Sequence, residues 1–335
     1  MNTSIPQNQR VVSGMRPTGK LHLGHYHGVL KNWVEMQLNY ECFFFVADWH
    51  ALTTHYDDPS DTPTHVEDMV IDWLAAGISP SSATIFLQSE VPEHAELHLL
   101  LSMITPLSWL ERVPTYKDQQ EKLREKDLAT YGFLGYPLLQ SADILLYKAD
   151  MVPVGEDQVA HVELTREVAR RFNHMGKIIL PEPEAKLTKA SKMPGLDGQK
   201  MSKSYGNTIG LREEPDVLDE KIRKMPTDPA RVRLTDPGDP EKCPVWELHK
   251  VYSDDKTLVW VNDSCRSAAH GCLDCKRPLI DAVQAEMEPI RERARQFEND
   301  RTAVRAIINE GSEAARDVAR ETLDDVVEAM RFAKN

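Results

Sequence analysis

The feature that most constrains this chain is an alternation of two periodicities. Short apolar runs rich in β-branched or aromatic residues, Val11 to Met15, Phe43 to Ala47 and Thr84 to Gln88, are separated by stretches with apolar residues at helical spacing, His27 to Leu38 and His65 to Ala76. Strands that alternate with helices imply parallel pairing, because a parallel neighbour is reached only through a crossover. The expected fold is therefore α/β, a doubly wound parallel sheet. Gly77 suits a C-terminal stop for the second helix. Ile144 to Leu146 and Met151 to Val154 resume the buried pattern. The charge-dense stretch 113–130 reads as a solvated helix face or a mobile surface segment. Residues 181–210, dense in Pro, Gly, Ser and Lys, read as a long surface loop, a kind that often carries function. Beyond it the strand-like runs stop, and Leu218 to Met225, Pro278 to Phe297, Arg301 to Glu310 and Ser312 to Phe332 read as helices. The expected organisation is an α/β domain over 1–205 and a smaller helical domain over 206–335.

Composition narrows the function classes. With 335 residues, 41% hydrophobic and 28% charged, the chain can bury a large core, and two domains of roughly 150 residues each are within reach. A net charge of −13 argues against a non-specific polyanion binder, so any nucleic-acid contact must use local basic patches. No run approaches the roughly 20 apolar residues of a membrane span, and Met1 to Arg10 lacks the apolar core of a signal peptide. A cytoplasmic protein without membrane partners is expected. Trp33, Trp73, Trp109, Trp246 and Trp260 read as packing residues, and Cys42 as an inert core thiol.

Two segments carry the chemistry. Ser13-Gly-Met-Arg16-Pro17-Thr18-Gly19-Lys-Leu-His22-Leu-Gly24-His25 follows the first strand and leads into a helix, where a doubly wound sheet binds nucleotide. Glycines permit close backbone approach there, the helix N-terminus favours anions, and two imidazoles three residues apart can donate to phosphate oxygens. Far downstream, Lys200-Met201-Ser202-Lys203-Ser204 places two lysines three apart on the long loop, a mobile cationic clamp suited to a departing pyrophosphate. Taken singly, the first is a weak string and the second reads more readily as a solvated basic loop. Together, in this order and context, they resemble the two signatures of class I aminoacyl-tRNA synthetases.

Further segments are similar to the tryptophanyl-tRNA synthetase family: Phe45-Val-Ala-Asp48-Trp-His50-Ala-Leu-Thr, Tyr136-Pro-Leu-Leu-Gln140-Ser-Ala-Asp143-Ile-Leu-Leu-Tyr147 and Val152-Pro-Val154-Gly155-Glu156-Asp157-Gln158. The resemblance runs across nearly the whole chain and implies a Rossmann-like class I catalytic domain that activates L-tryptophan with ATP and Mg²⁺ and charges tRNA(Trp), in a homodimer. It implies that His22, His25, Lys200 and Lys203 are catalytic. Arg16, Pro17, Thr18, Gly24, Gly155, Glu156, Asp157, Met193, Met201, Ser202 and Ser204 would complete the ATP site. Asp143 would accept the indole N–H, Tyr136 and Gln158 would bind the ammonium, and Val152, Val154 and His50 would line the tryptophan pocket. Tyrosyl-tRNA synthetases share this architecture, so the choice of substrate rests on the pocket. Arg16, Val12 and Gln140 stand where many members carry Gln, Phe and Met. Two other readings remain: an adenylate-forming nucleotidyltransferase without a tRNA, and a non-catalytic RNA-binding or iron–sulfur sensor on the same fold.

Four of the five cysteines form Cys243-x21-Cys265-x6-Cys272-x2-Cys275, near His249 and His270. Four thiolates hold a [4Fe–4S] cluster or a tetrahedral zinc, and spacing does not choose. The family branch that these departures suggest favours the cluster, with a structural or RNA-docking role. Lys276, Arg277 and Arg266 either meet anticodon phosphates or are solvated charges. Arg231 and Arg233 read as salt-bridged surface rather than tRNA contacts.

Overall fold

The structure is a computed structural model and describes residues 9–114, 130–188 and 193–332. Most of the charge-dense stretch 113–130 therefore lies outside the described residues.

Five strands pair in parallel in the order β3-β2-β1-β4-β5: β1 (Arg10–Met15), β2 (Glu41–Val46), β3 (Ala83–Leu87), β4 (Met151–Val154) and β5 (Glu184–Leu187). The pleat sends neighbours to opposite faces. Val11 accordingly packs with Trp33, Phe44 and Trp73, whereas Val12 packs with Phe43, Phe45 and Tyr147. Trp33 stacks on Phe44 at 4.3 Å and meets Trp73 edge-on at 5.1 Å, the packing role expected of both. Cys42 is buried in β2, and burial pushes its thiol up to about 12.

The chain runs outward through β1, β2 and β3, then returns to place β4 on the other side of β1. A crevice opens over the carboxyl ends of β1 and β4, where the winding reverses, and such crevices bind ligands in open α/β sheets. Past β1 comes a helical run, α1, made of one α turn (Leu23–His25), a π turn (Tyr26–Leu30) and an α segment (Lys31–Met36). Helices α2 (Asp48–His55) and α3 (Thr62–Ala76) connect β2 to β3, and α3 stops at Gly77 with φ 111°, as the glycine predicts. Then follow α4 (Glu93–Ser102), α5 (Leu107–Glu111), α6 (Tyr131–Leu145) and α7 (Val159–Asn173).

Two expectations need correction. The stretch 181–210 is not all loop, because β5 pairs with β4 within it. Its Glu-Ala-Lys-Leu has no β-branched or aromatic residue, so only the backbone pairing reveals it. Second, Arg301 to Glu310 and Ser312 to Phe332 are one helix. After α8 (Pro215–Lys224), α9 (Pro244–Tyr252), α10 (Asp255–Arg266) and α11 (Cys272–Asn299), α12 runs unbroken over Arg301–Phe332.

Helix α12 lies along edge strand β3. Val304 and Ile308 join the core on one face of the sheet, while Ala315, Ala319, Leu323 and Val326 join the core on the other. Gly311 sits at the crossing, where an added Cβ would stand 1.9 Å from the Ile85 carbonyl oxygen. Ser312 Oγ accepts the Leu87 N–H at 3.3 Å and donates to Glu90 at 2.8 Å, so the helix covers the edge and satisfies one of its donors. Among the described residues no helix is long and apolar enough to cross a membrane.

A Gly→Ala change inside a helix ordinarily gains about 1 kcal/mol. At Gly311 the sign reverses: Gly311→Ala is expected to cost about 2 kcal/mol through overpacking, read as a lower denaturation midpoint, and a raised midpoint would disprove the close approach.

Candidate active site

The first signature folds around its two histidines. His22 is extended, at φ −132°, and caps the first turn of α1 by accepting the Gly24 N–H on Nδ1 at 3.1 Å. His22 N–H in turn donates to His25 Nδ1 at 3.2 Å. A ring that accepts on Nδ1 carries its proton on Nε2. Burial lowers His22 to about 4 and His25 to about 3, with the charge of Lys203 and, for His25, the neighbouring His22 acting in the same direction. Both imidazoles are thus neutral at pH 7 and hold Nε2–H donors. A Cβ on Gly24 would stand 2.8 Å from the His22 ring, so the capping ring itself occupies the space that glycine leaves.

The second signature reaches back to the first. Lys203 Nζ donates to the Thr18 carbonyl at 3.0 Å, while Lys200 is exposed. Met201 N–H donates to Met193 O at 2.8 Å, with both side chains buried, so the Met193 carbonyl is already engaged. Buried Asn207 organises this loop: its Oδ1 accepts Ser202 N–H at 2.8 Å and its Nδ2 donates to Asp197 at 2.7 Å and to Lys200 O at 3.2 Å. Ser202 and Ser204 hydroxyls meet at 2.9 Å.

Beside the first signature lies an open cleft of about 1260 Å³. The end of β1 supplies Val12 to Arg16, α2 supplies His50 and Thr53, α6 supplies Tyr136, Gln140 and Asp143, and the end of β4 supplies Val152 to Gly155 with Gln158 beyond. His25 and His161 complete the lining named here. The fold therefore brings together Arg16, His25, His50, Tyr136, Asp143, Val152, Val154, Gly155 and Gln158. Pro17, Thr18, His22, Gly24, Met193 and the second signature stand outside that lining, as do exposed Glu156 and Asp157 on the turn after β4.

Asp143 anchors the closed end. Its Oδ2 receives His50 Nε2 at 2.8 Å, and its Oδ1 receives Gln88 Nε2 at 2.9 Å and His94 Nδ1 at 2.7 Å. His94 Nε2 then meets the Tyr147 hydroxyl at 2.7 Å. Burial alone would raise this carboxyl. The charge of His50 and the hydrogen bonds from both histidines outweigh it and hold Asp143 well below the carboxylate range. Gln140, the departure on α6, accepts His161 Nδ1–H at 2.6 Å, and His161 Nε2 faces the Tyr136 hydroxyl at 3.5 Å. Gln88, His94 and His161 escaped the sequence analysis. Gln88 and His94 follow directly on β3, so the rule that sites gather at carboxyl ends of parallel strands points to them.

A second cluster sits among the C-terminal helices. Cys243 caps α9, Cys265 lies on α10, and Cys272 and Cys275 open α11; all four line one small, partly open pocket with Arg231 and His270. Arg231 Nη1 points at Cys265 Sγ at 3.9 Å and its other nitrogen donates to the His270 carbonyl, so it is neither a salt-bridged surface residue nor an open tRNA contact. Both His270 ring nitrogens are buried without a partner, and half-exposed Trp260 stacks on the ring at 4.6 Å. Lys276 is buried and donates to Arg223 O and Met225 O at 2.6 and 2.7 Å, which removes it from the phosphate-binding candidates. Arg266 pairs with Asp239 at 3.2 Å. Among the described residues no three His, Cys, Asp or Glu side chains stand in a geometry for a single metal ion.

Comparison with known proteins matches residues 6–288 to the sequence family of class I tRNA synthetases for W and Y. The tryptophan–tRNA ligase of Ralstonia nicotianae is 56% identical, over 96% of this chain and 98% of that protein. The tryptophan–tRNA ligase of Thermotoga maritima is 54% identical, over 96% and 99% respectively. The crystal structure of tryptophanyl-tRNA synthetase from Campylobacter jejuni complexed with ADP and tryptophan superposes with a TM-score of 0.87 at 33% identity, covering 97% of this chain and 100% of that one.

The neutral imidazoles set a pH dependence. His22, His161 and His249 are lowered to about 4 and His25 to about 3, mainly by burial. An unfolded histidine binds its proton below about 6.5, where the native rings do not. Their contribution is therefore complete above that value and is lost as pH falls from there through the native values. Urea unfolding at about pH 7.5 and about pH 5 is expected to show this loss. A His22→Asn/His25→Asn variant should lose less, and equal losses would refute the assignment.

Proposed function

The chain belongs to the class I tryptophanyl-tRNA synthetases, and on that premise we propose how its own residues join tryptophan to tRNA. It is a tryptophan–tRNA ligase: it activates L-tryptophan with ATP to the adenylate, releasing pyrophosphate, and transfers the amino acid to tRNA(Trp). The observation that carries the residue assignment is the contact of the two signatures, Lys203 on the Thr18 carbonyl, beside a cleft that ends at Asp143.

Asp143 reads the indole. An ionised carboxylate has about four acceptor sites. Gln88 and His94 take both on Oδ1 and His50 takes one on Oδ2, leaving an Oδ2 site for the indole N–H. Val152, Val154 and His50 enclose the ring, and Tyr136 and Gln158 orient the ammonium. The tryptophan carboxylate attacks the α-phosphorus in line. It needs no general base, being ionised at neutral pH, so the protein contributes position and charge. His22 and His25 donate Nε2–H to the phosphates without adding charge. Arg16 stands on the phosphate side with Pro17, Thr18 and Gly24, and Gly155, Glu156 and Asp157 hold the ribose. Met193, Met201, Ser202 and Ser204 shape the adenine and phosphate edge, and Lys200 and Lys203 follow the departing pyrophosphate. Mg²⁺ would neutralise triphosphate charge from the substrate side, since Asp143, the one carboxylate among the described residues lining the cleft, is committed to its histidines.

We assign 1–205 to activation and 206–335 to tRNA docking, with Arg266 and Arg277 as the basic candidates. The convergence of four thiols on one cavity supports a [4Fe–4S] cluster held by Cys243, Cys265, Cys272 and Cys275. Zinc is the alternative occupant of the same four thiolates, at bonds of about 2.3 Å. The cluster would tie α9, α10 and α11 together. Exposed Leu99 on α4, Met103 just past its end, Leu107 on α5 and Tyr131 on α6 support a homodimer, since neighbouring elements carry them. We place the enzyme in the cytoplasm, where tRNA is charged and such thiols stay reduced.

Pyrophosphate exchange into ATP is expected with tryptophan and not with tyrosine. Lys203→Ala should slow it about a hundredfold with tryptophan affinity retained; equal loss of both would remove the clamp role. An anaerobic preparation should hold about four iron and four sulfide per chain and sediment at twice the 38.0 kDa chain mass. Zinc without iron, or a monomer, would overturn the corresponding assignment.

A further inference from the structure

Asp72 lies on α3 and has no part in the substrate contacts above, yet it touches both signature regions. Its side chain is 1% exposed. Oδ2 accepts the backbone N–H of Leu21, within the first signature, at 3.1 Å. Oδ1 receives Arg212 Nε, just beyond the second signature, at 2.6 Å. The same two segments also pair through their backbones, Leu23 N–H to Ile209 O at 3.0 Å and Leu211 N–H to Leu21 O at 2.9 Å. Arg212 extends the link to Glu298 on α11 and to the Asp68 carbonyl at 3.4 Å.

The second-signature loop thus hangs from a stem fixed to the first signature, with one buried carboxylate beneath both. Asn207 folds the loop on itself, and the exposed Lys203 supplies its contact with Thr18. We propose that Asp72 and Arg212 are positioning residues for adenylate formation: their buried pair sets the stem so that Lys200 and Lys203 meet the triphosphate in register. This rests on the assignment of the two signatures to ATP. A buried ion pair is a poor source of stability, because desolvation offsets its attraction. What it supplies is direction: each carboxylate oxygen has one partner, from a different signature region, and an apolar contact of equal volume would fix neither. A displacement of the order of 1 Å costs about a hundredfold in rate when reacting groups must align, so the stem is where such precision has to originate.

Removing one member alone would strand a buried charge and unsettle the fold. The decisive variant is therefore the double replacement Asp72→Asn/Arg212→Leu, which keeps an acceptor for Leu21 N–H. Asp68 retains Arg301 at 3.0 Å and Glu298 reaches solvent at the surface, so no charge is left unpaired in the core. Arg212→Lys, which keeps charge but loses the planar fork, is the graded companion. Tryptophan-dependent pyrophosphate exchange is measured per titrated active site, beside the unaltered chain, with thermal unfolding of each. The expected result is a cooperative transition for the double variant, kcat down about tenfold or more, and KM for tryptophan within about twofold. Arg212→Lys should fall between. Turnover within about twofold of the unaltered chain would overturn the proposal, as would equal changes in kcat and in KM for tryptophan. Absence of exchange in the unaltered chain would instead overturn the signature assignment itself.

Discussion

A parallel sheet leaves no face to water, and in this chain that requirement organises everything else. Val11 and Val12 commit to opposite cores. One face is covered by α1 and α3 with α11 and the start of α12, the other by α4, α6 and α7 with the rest of α12. The C-terminal helices are thus part of the covering of the sheet as well as bearers of the cysteine cluster. Helix α12 changes face at the edge of β3, and only a glycine at 311 lets two backbones come that close.

With both faces sealed, the carboxyl ends of the strands remain as the place for chemistry. The site there is built from polar groups that distant residues hold in place while leaving one side of each open. Asp143 keeps its charge because His50, Gln88 and His94 come to it from three different elements. His22 and His25 lose theirs because burial removes solvent and each Nδ1 is used by the backbone. One carboxylate held ionised and two imidazoles held neutral follow from the same physics with opposite results. The first keeps an acceptor site on Oδ2, and the others keep Nε2–H donors without a charge.

Much of this is legible in the chain. The β1, β2, β3 and β4 runs, the stop at Gly77 and the four cysteines are carried by residue type and spacing, while the two signatures and Asp143 stand out through the family resemblance of the segments around them. What escaped is equally particular. Glu184 to Leu187 has no strand-forming side chain, so β5 exists by pairing with β4. Gly311 looks like a break between helices and is a contact within one. Lys276 looks like a surface cation and is spent on two carbonyls in the interior. Gln140 looks like a gap in the indole pocket and is the acceptor for His161.

The division has a physical basis. Hydrophobic periodicity, glycine placement and short chemical motifs act over a few residues, so the sequence by itself determines the α/β class, the position of the glycine-bearing loop after β1 and the side-chain chemistry available at each signature. Which side chains meet across tens or hundreds of residues depends on how the layers close. The three donors on Asp143, the convergence of four thiols, the passage of α12 over β3 and the Asp72 link between the signatures were decided only there. In each case a polar or crowded group is tolerable only when distant partners arrive together, and that condition is not written in any local stretch of the chain.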